Sequence, residues 1–169
     1  MNTGQVILAV GAMVLLSTIL LRVNNTFLTS DEVLDQSKYS FLATSIATSI
    51  IEQSKNLSFD EQTLGDINID NPSLLTPVVG LHYDSGEDPH DCNTFDDFDD
   101  FNNYTYTDSS MPSAVFVVTC RVDYVPENDP ETVSGVPTFN KKITVTVSSP
   151  HYMSDVIQLS SVFSYWYFR

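Results

Sequence analysis

The sequence predicts an α+β fold: one long N-terminal α-helix followed by a small antiparallel β-sheet. Three observations carry this. Residues 6–21 (VILAVGAMVLLSTILL) contain no charged side chain, and residues 23–56 contain neither Gly nor Pro, so nothing breaks a helix begun near the N-terminus. Residues 113–169 hold three segments dense in β-branched and aromatic residues, one of them strictly alternating. Between them, residues 57–112 collect Pro72, Pro77 and Pro89 with Gly65, Gly80 and Gly86. Helix and strands are therefore segregated along the chain rather than interleaved.

The first element, residues 5–22, is apolar all round. Its uncharged run covers about the 17–25 residues that cross a bilayer. A cleaved secretory signal would carry a basic start and a small-residue cleavage site after the apolar core. Met1-Asn2-Thr3 has no Lys or Arg, and Arg22-Val23-Asn24-Asn25 follows Leu21, so the whole stretch is expected to be retained.

The second element, residues 23–56, continues the helix as an amphipathic one. Phe27, Leu34 and Phe41 are spaced by seven, Leu42, Ile46 and Ile50 by four, and Val33 and Ile51 widen the stripe. Asp31, Glu32, Asp35, Lys38, Glu52 and Lys55 fall mostly opposite. Val23-Asn24-Asn25-Thr26 has poor helix propensity and marks a soft segment. A helix from Gln5 to Asn56 would measure roughly 75–80 Å, against about 30 Å of hydrocarbon. The remainder is expected to lay its apolar face on the C-terminal head. The alternative is a single-pass anchor with a separate juxtamembrane helix.

Residues 57–112 read as an acidic loop region. Phe95, Phe98, Phe101 and Tyr104 recur every three residues, the period of a short 3₁₀ turn pinned by its aromatics. Asp96, Asp97, Asp99 and Asp100 are then expected to point outward. With Asn102 they form a candidate Ca²⁺ set, because hard cations take oxygen ligands. No EF-hand spacing is present, and a solvated acidic turn is the plainer reading.

Residues 113–169 supply the sheet. Three strands are expected, at 113–124 (SAVFVVTCRVDY), 141–149 (KKITVTVSS) and 156–165 (VIQLSSVFSY), the last extended by Trp166-Tyr167-Phe168. Ile143, Val145 and Val147 share one face of the middle strand. Consecutive strands pair antiparallel by default, leaving one apolar face to be covered by the helix.

A chain of 169 residues with 22 acidic and 7 basic side chains, net charge −15, lacks the clustered Lys and Arg that nucleic acid or an anionic membrane surface requires. Cys92 and Cys120 form either one disulfide in an oxidising compartment or two separate buried thiols. His82, His90 and His151 are scattered, and no metal-spaced His pair, Cys-x-x-Cys or Gly-x-Ser-x-Gly occurs. No enzyme chemistry and no required cofactor follow. Asn24, Asn56 and Asn103 each open a glycosylation sequon.

The junction Met1-Asn2-Thr3-Gly4 followed by Gln5-Val6-Ile7-Leu8 resembles that of the type IV pilin and pseudopilin superfamily. Phe-Asp-Asp-Phe-Asp-Asp-Phe-Asn-Asn-Tyr, at 95–104, is similar to an acidic stretch between helix and sheet in some minor, MSHA-type pilin-like proteins. Residues 141–164 resemble the final two strands of many pilin-like heads. The resemblance implies a leader at 1–4 ending in Gly4, cut by a prepilin peptidase, and a methylated N-terminus at Gln5. Ala9 stands where most major pilins carry glutamate, and the leader has no basic residue. It further implies that Val6, Ile7, Leu8, Ala9, Gly11, Ala12, Leu15 and Leu16 form a filament core, with a pilin-like head outside.

The function expected on this basis is a structural subunit of an extracellular type IV pilus-like or pseudopilus filament. Its partners would be copies of itself, the prepilin peptidase and inner-membrane assembly machinery, with the subunit held in the membrane before assembly. The alternative is a single-pass membrane-anchored extracytoplasmic binding domain that does not polymerise.

Overall fold

The computed structural model describes residues 2–65, 68–111, 114–153 and 155–165. Internal contacts divide the chain into two units, Met1–Lys38 and Tyr39–Arg169. The fold is α+β: one helix, α1 (Thr3–Lys55), and a four-stranded antiparallel sheet.

In the first unit α1 has no buried residue. The soft segment expected at 23–26 is helical. Ser and Thr residues that would compete with the backbone instead satisfy themselves on it: Ser17 Oγ donates to Met13 O (2.8 Å) and Thr26 Oγ1 to Arg22 O (2.9 Å). Among the described residues this is one helix apolar and long enough to cross a membrane.

The second unit opens with the last turns of α1. Tyr39, Ala43, Ala47, Ile50 and Ser54 are buried, a stripe at four- and three-residue steps. The stripe anticipated from bulky residues is corrected in part: Ile50 is buried as expected and Leu42, Ile46 and Ile51 pack half-buried at its margin, but Phe41 is 73% exposed. Alanine at 43 and 47 lets the helix backbone lie close to the core, so the buried line runs through small side chains. Phe27, Val33 and Leu34, in the first unit, are exposed as well.

The strands are β1 (Thr105–Asp108), β2 (Phe116–Tyr124), β3 (Asn140–Ser148) and β4 (Ile157–Ser164), hydrogen-bonded in that order. Three strands were expected; β1 is the fourth, pairing Tyr106 with Val118. The proposed beginning of β2 at Ser113 and the extension at Trp166, Tyr167 and Phe168 lie outside the described residues. Phe116, Val118, Cys120, Val122 and Tyr124 point inward from β2, and Lys141, Ile143, Val145 and Val147 from β3. The register sets Cys120 opposite Val145, Val122 opposite Ile143 and Tyr124 opposite Lys141. On the other side of β3, Lys141 faces Phe163.

The loop from residue 57 to 104 covers this face. It is tied at both ends: Phe98 N donates to Ser58 O (3.0 Å), Asn103 N to Cys120 O (3.1 Å) and Cys120 N to Tyr104 O (2.8 Å). Phe59, Leu75, Leu81, Phe95, Phe98, Phe101 and Tyr104 complete one core with the helix stripe and the sheet.

Candidate functional site

The loop delivers its aspartates inward, which reverses part of the sequence expectation. Phe95, Phe98, Phe101 and Tyr104 are buried as the three-residue period required, stacked edge-on at centroid distances of 5.2 Å (Phe95–Phe101) and 5.4 Å (Phe95–Tyr104). Of the four aspartates, Asp96 is exposed, while Asp97, Asp99 and Asp100 are buried. The 3₁₀ turn Asp99–Phe101 lies against β2 and carries its carboxylates with it.

At the centre stands Lys141. Its Nζ donates to Phe59 O (2.8 Å), to Asp60 Oδ2 (2.8 Å) and to Asp99 Oδ1. The ammonium lies 4.7 Å from the centroid of the Phe59 ring and 5.2 Å from that of Tyr124. The lysine and Asp60 side chains are wholly buried, and Asp99 nearly so. Such an arrangement persists only if every polar atom is matched. Among the described residues no buried side-chain nitrogen or oxygen lacks a partner.

The two carboxylates beside Lys141 are held differently. Asp60 caps the turn Glu61–Thr63 by accepting from Gln62 N (3.1 Å), and it also accepts from Thr76 N, from Thr76 Oγ1 (3.0 Å) and from Tyr124 Oη (3.0 Å). Burial pushes its carboxyl up, but the Lys141 charge and these hydrogen bonds outweigh that and hold it below the usual range. Asp99 is raised: burial dominates, Lys141 opposes it, and the Asp60 charge adds to it. Asp97, hydrogen-bonded to Asp99, is pushed up to about 10 by burial and then by the Asp99 charge. Its Oδ1 accepts from Asp99 N (2.7 Å) and Asp100 N (3.3 Å). A cleft of about 270 Å³, lined among others by Glu61, Thr76, His82 and Asp84, reaches Asp99 from outside.

The five residues singled out as a Ca²⁺ set are not brought together. Asp99 is paired with Lys141, Asp97 closes the turn, and Asn102 bridges the loop to β2 by donating to Leu81 O (2.8 Å) and accepting from Val122 N (3.0 Å). Asp96 and Asp100 instead meet Glu87, with one carboxylate oxygen of each within 4.8 Å of the others. Two of the three carboxylates already accept backbone bonds: Asp96 N donates to Glu87 Oε1 (3.1 Å), Asp84 N to Glu87 Oε2 (2.6 Å), and Asp97 N to Asp100 Oδ2 (2.9 Å). One oxygen from each of these three carboxylates is half of the lower end of the six to eight that Ca²⁺ takes, so second carboxylate oxygens, backbone carbonyls or waters would have to supply the rest. Burial, offset by backbone donors and reinforced by Glu87, lifts Asp100 to about 8.

Cys92 and Cys120 are both free in this structure. Gln53 Nε2 donates to Cys92 O (3.3 Å), and Cys92 Sγ donates to Gln53 Oε1 (3.7 Å). Burial, then the nearby Cys92, pushes the Cys120 thiol up to about 12. Tyr104, beside both, is raised by burial and by Cys92.

At the other end of the chain, Gly4 and Gln5 lie in the first turn of α1, with Gln5 N donating to Asn2 O (2.9 Å). The large apolar side chains of residues 6–21, Val6, Ile7, Leu8, Leu15 and Leu16 among them, are 41–76% exposed. Ala9 and Ala12 are exposed alongside them. A Cβ added at Gly4 or Gly11 would meet nothing within 4 Å.

Sequence reasoning missed Lys141, Asp60 and Tyr124. One signal was present: Lys141 is in phase with Ile143, Val145 and Val147, the inward residues of β3. No family model matches the chain, and no curated protein or solved structure matches it.

Proposed function

We propose that the chain is a structural subunit of an extracellular type IV pilus-like or pseudopilus filament, assembled by packing of the N-terminal apolar helices. The observation that carries this reading is the exposure of every large apolar side chain in residues 6–21. A helix apolar on all sides belongs in lipid or in a protein core. Burying each such side chain contributes about 1.5–3 kcal/mol, so the segment requires one of those surroundings. A membrane before assembly and a filament of like helices afterwards provide them in turn.

Two glycines support the same reading. Glycine inside a helix is about 1 kcal/mol less favourable than alanine, yet nothing within the chain crowds Gly4 or Gly11. Their use is then external: Gly4 as the residue a prepilin peptidase recognises before Gln5, and Gly11, with Ala9 and Ala12, as a place where neighbouring helices approach closely. The partners are copies of the chain, the peptidase and the inner-membrane assembly machinery. The head contributes an acidic outer surface unsuited to nucleic acid.

The test is N-terminal peptide mass spectrometry on native protein from the cell envelope and from sheared cell-surface material. A chain beginning at Gln5, with or without a methyl group, in the sheared fraction is the expected result. A chain beginning at Met1 and confined to the membrane would overturn the proposal and leave an anchored extracytoplasmic binding domain.

A further inference from the structure

Lys141, Asp99, Asp60 and Asp97 form one buried cluster of an amine and three carboxyls. We propose that the Lys141 amine and the Asp99 carboxyl condense spontaneously to an intramolecular isopeptide bond, with Asp60 and Asp97 as the groups that move the protons.

Three features of the geometry carry this. The reacting groups already touch: Nζ of Lys141 donates directly to Asp99 Oδ1. Holding reactants in contact converts a bimolecular condensation into an intramolecular one. The surroundings are dry and aromatic, with Phe59 and Tyr124 within cation–π distance and Phe163 opposite on β4. Amide formation replaces two buried charges by a neutral, hydrogen-bonding group, removing a desolvation penalty that the ion pair retains. Exclusion of bulk water also suppresses the reverse hydrolysis.

The third feature is the division of roles between carboxyls. Asp60 is fixed by donors from Gln62, Thr76 and Tyr124 with its Oδ2 on the lysine nitrogen, the position of a base. Asp97 lies directly against Asp99, its Oδ1 accepting from Asp99 N (2.7 Å) and its carboxyl hydrogen-bonded to that of Asp99, within reach to serve as the acid. Asp60 accepts a proton from Nζ, the freed amine attacks Cγ of Asp99, and Asp97 protonates the carboxyl oxygen. The second proton to leave the nitrogen completes the water that departs as the C–O bond breaks. The proton held by Asp60 then replaces the one Asp97 gave. An ammonium and a carboxylate are consumed, an amide and a water result, and nothing is oxidised or reduced. The cleft that reaches Asp99 is the exit for that water. The bond would join the loop to β3 across 42 positions of sequence.

The full chain, folded and then reduced and denatured, is weighed by mass spectrometry and mapped after trypsin digestion. The expected mass is lower, by one water, than that calculated for the N-terminus found. The map should show no cleavage after Lys141 and a branched species joining residues 56–121 to 122–142. The full calculated mass, with cleavage after Lys141, overturns the proposal and leaves a permanent ion pair. Lys141→Arg preserves the cation while removing the condensing amine, and it should weigh its full calculated mass. A water missing from that variant too would place the dehydration elsewhere and sink the assignment.

Discussion

Tyr124 and Lys141 are direct cross-strand partners on β2 and β3, and both converge on a single oxygen, Oδ2 of Asp60, at 3.0 and 2.8 Å. The sheet thereby presents two donors side by side to a carboxylate that arrives from the loop. The tyrosine hydroxyl also lies 2.8 Å from Thr76 O, so it holds two loop segments at once.

Replacing Tyr124 with Phe keeps the ring and removes that hydroxyl. The buried Asp60 oxygen and the Thr76 carbonyl lose the one proton they share, and the expected loss is about 1–3 kcal/mol. Urea unfolding should show a lower midpoint with an unchanged slope. An unmoved midpoint would mean that water replaces the hydroxyl without loss.

Stability should fall as pH rises from about 5 to 9. Asp97 and Asp100 have folded pKa values raised to about 10 and about 8, against roughly 3.9 when unfolded. The folded state therefore binds more protons than the unfolded state between those limits, and its advantage shrinks as pH increases. Asp60 is lowered, so its contribution is present above the unfolded value and is lost as pH falls through the folded one. Thermal melts followed by circular dichroism should give a maximum on the mildly acidic side. Asp97→Asn should flatten the alkaline slope; an equally steep slope in that variant would refute the assignment.

Within the acidic run, neighbouring positions should respond oppositely. Phe98 is fully buried against Phe163 at 5.0 Å, so Phe98→Ala is expected to lose about 3–5 kcal/mol. Asp96 is exposed and its carboxyl is repelled by Glu87 and Asp84, so Asp96→Ala should stay within about 0.5 kcal/mol. Equal losses from chemical denaturation of the two variants would contradict the burial pattern.

On α1, Ala47→Leu forces a larger side chain into a fully buried position and should destabilise by about 1–3 kcal/mol. Phe41→Ser, on the exposed side, should leave the melting temperature nearly unchanged. The reverse order would restore the stripe built on large apolar residues.

The strands were legible because period-two alternation survives burial on one face: Ile143, Val145 and Val147 announce β3 without help. β1 was not, since Thr105–Asp108 is short and half-exposed, and its pairing is decided by β2. The helix was legible as a helix, and its buried line in part: Ile50 is in the core and Leu42, Ile46 and Ile51 pack against it. Hydrophobicity weights Phe27, Leu34 and Phe41 heavily, whereas close packing chose Ala43 and Ala47. The aromatic period of the acidic run was correct. The aspartates between those aromatics turned inward because Lys141 meets them from a strand some forty residues later, and no local pattern contains that encounter.

The span between Asp60 and Lys141, 81 positions, also bears on how the head is made. A ribosome delivers α1 first and β3 much later. Until β3 arrives, the loop has no cation to receive its aspartates and no sheet to receive its phenylalanines, and such long-range closure is slow compared with hairpin formation. The β2–β3 and β3–β4 hairpins can form as soon as each emerges. The acidic loop is accordingly expected to be the last part of the head to order, and a nascent chain stalled before Lys141 would expose Phe95, Phe98 and Phe101 to whatever chaperone or protease is nearby.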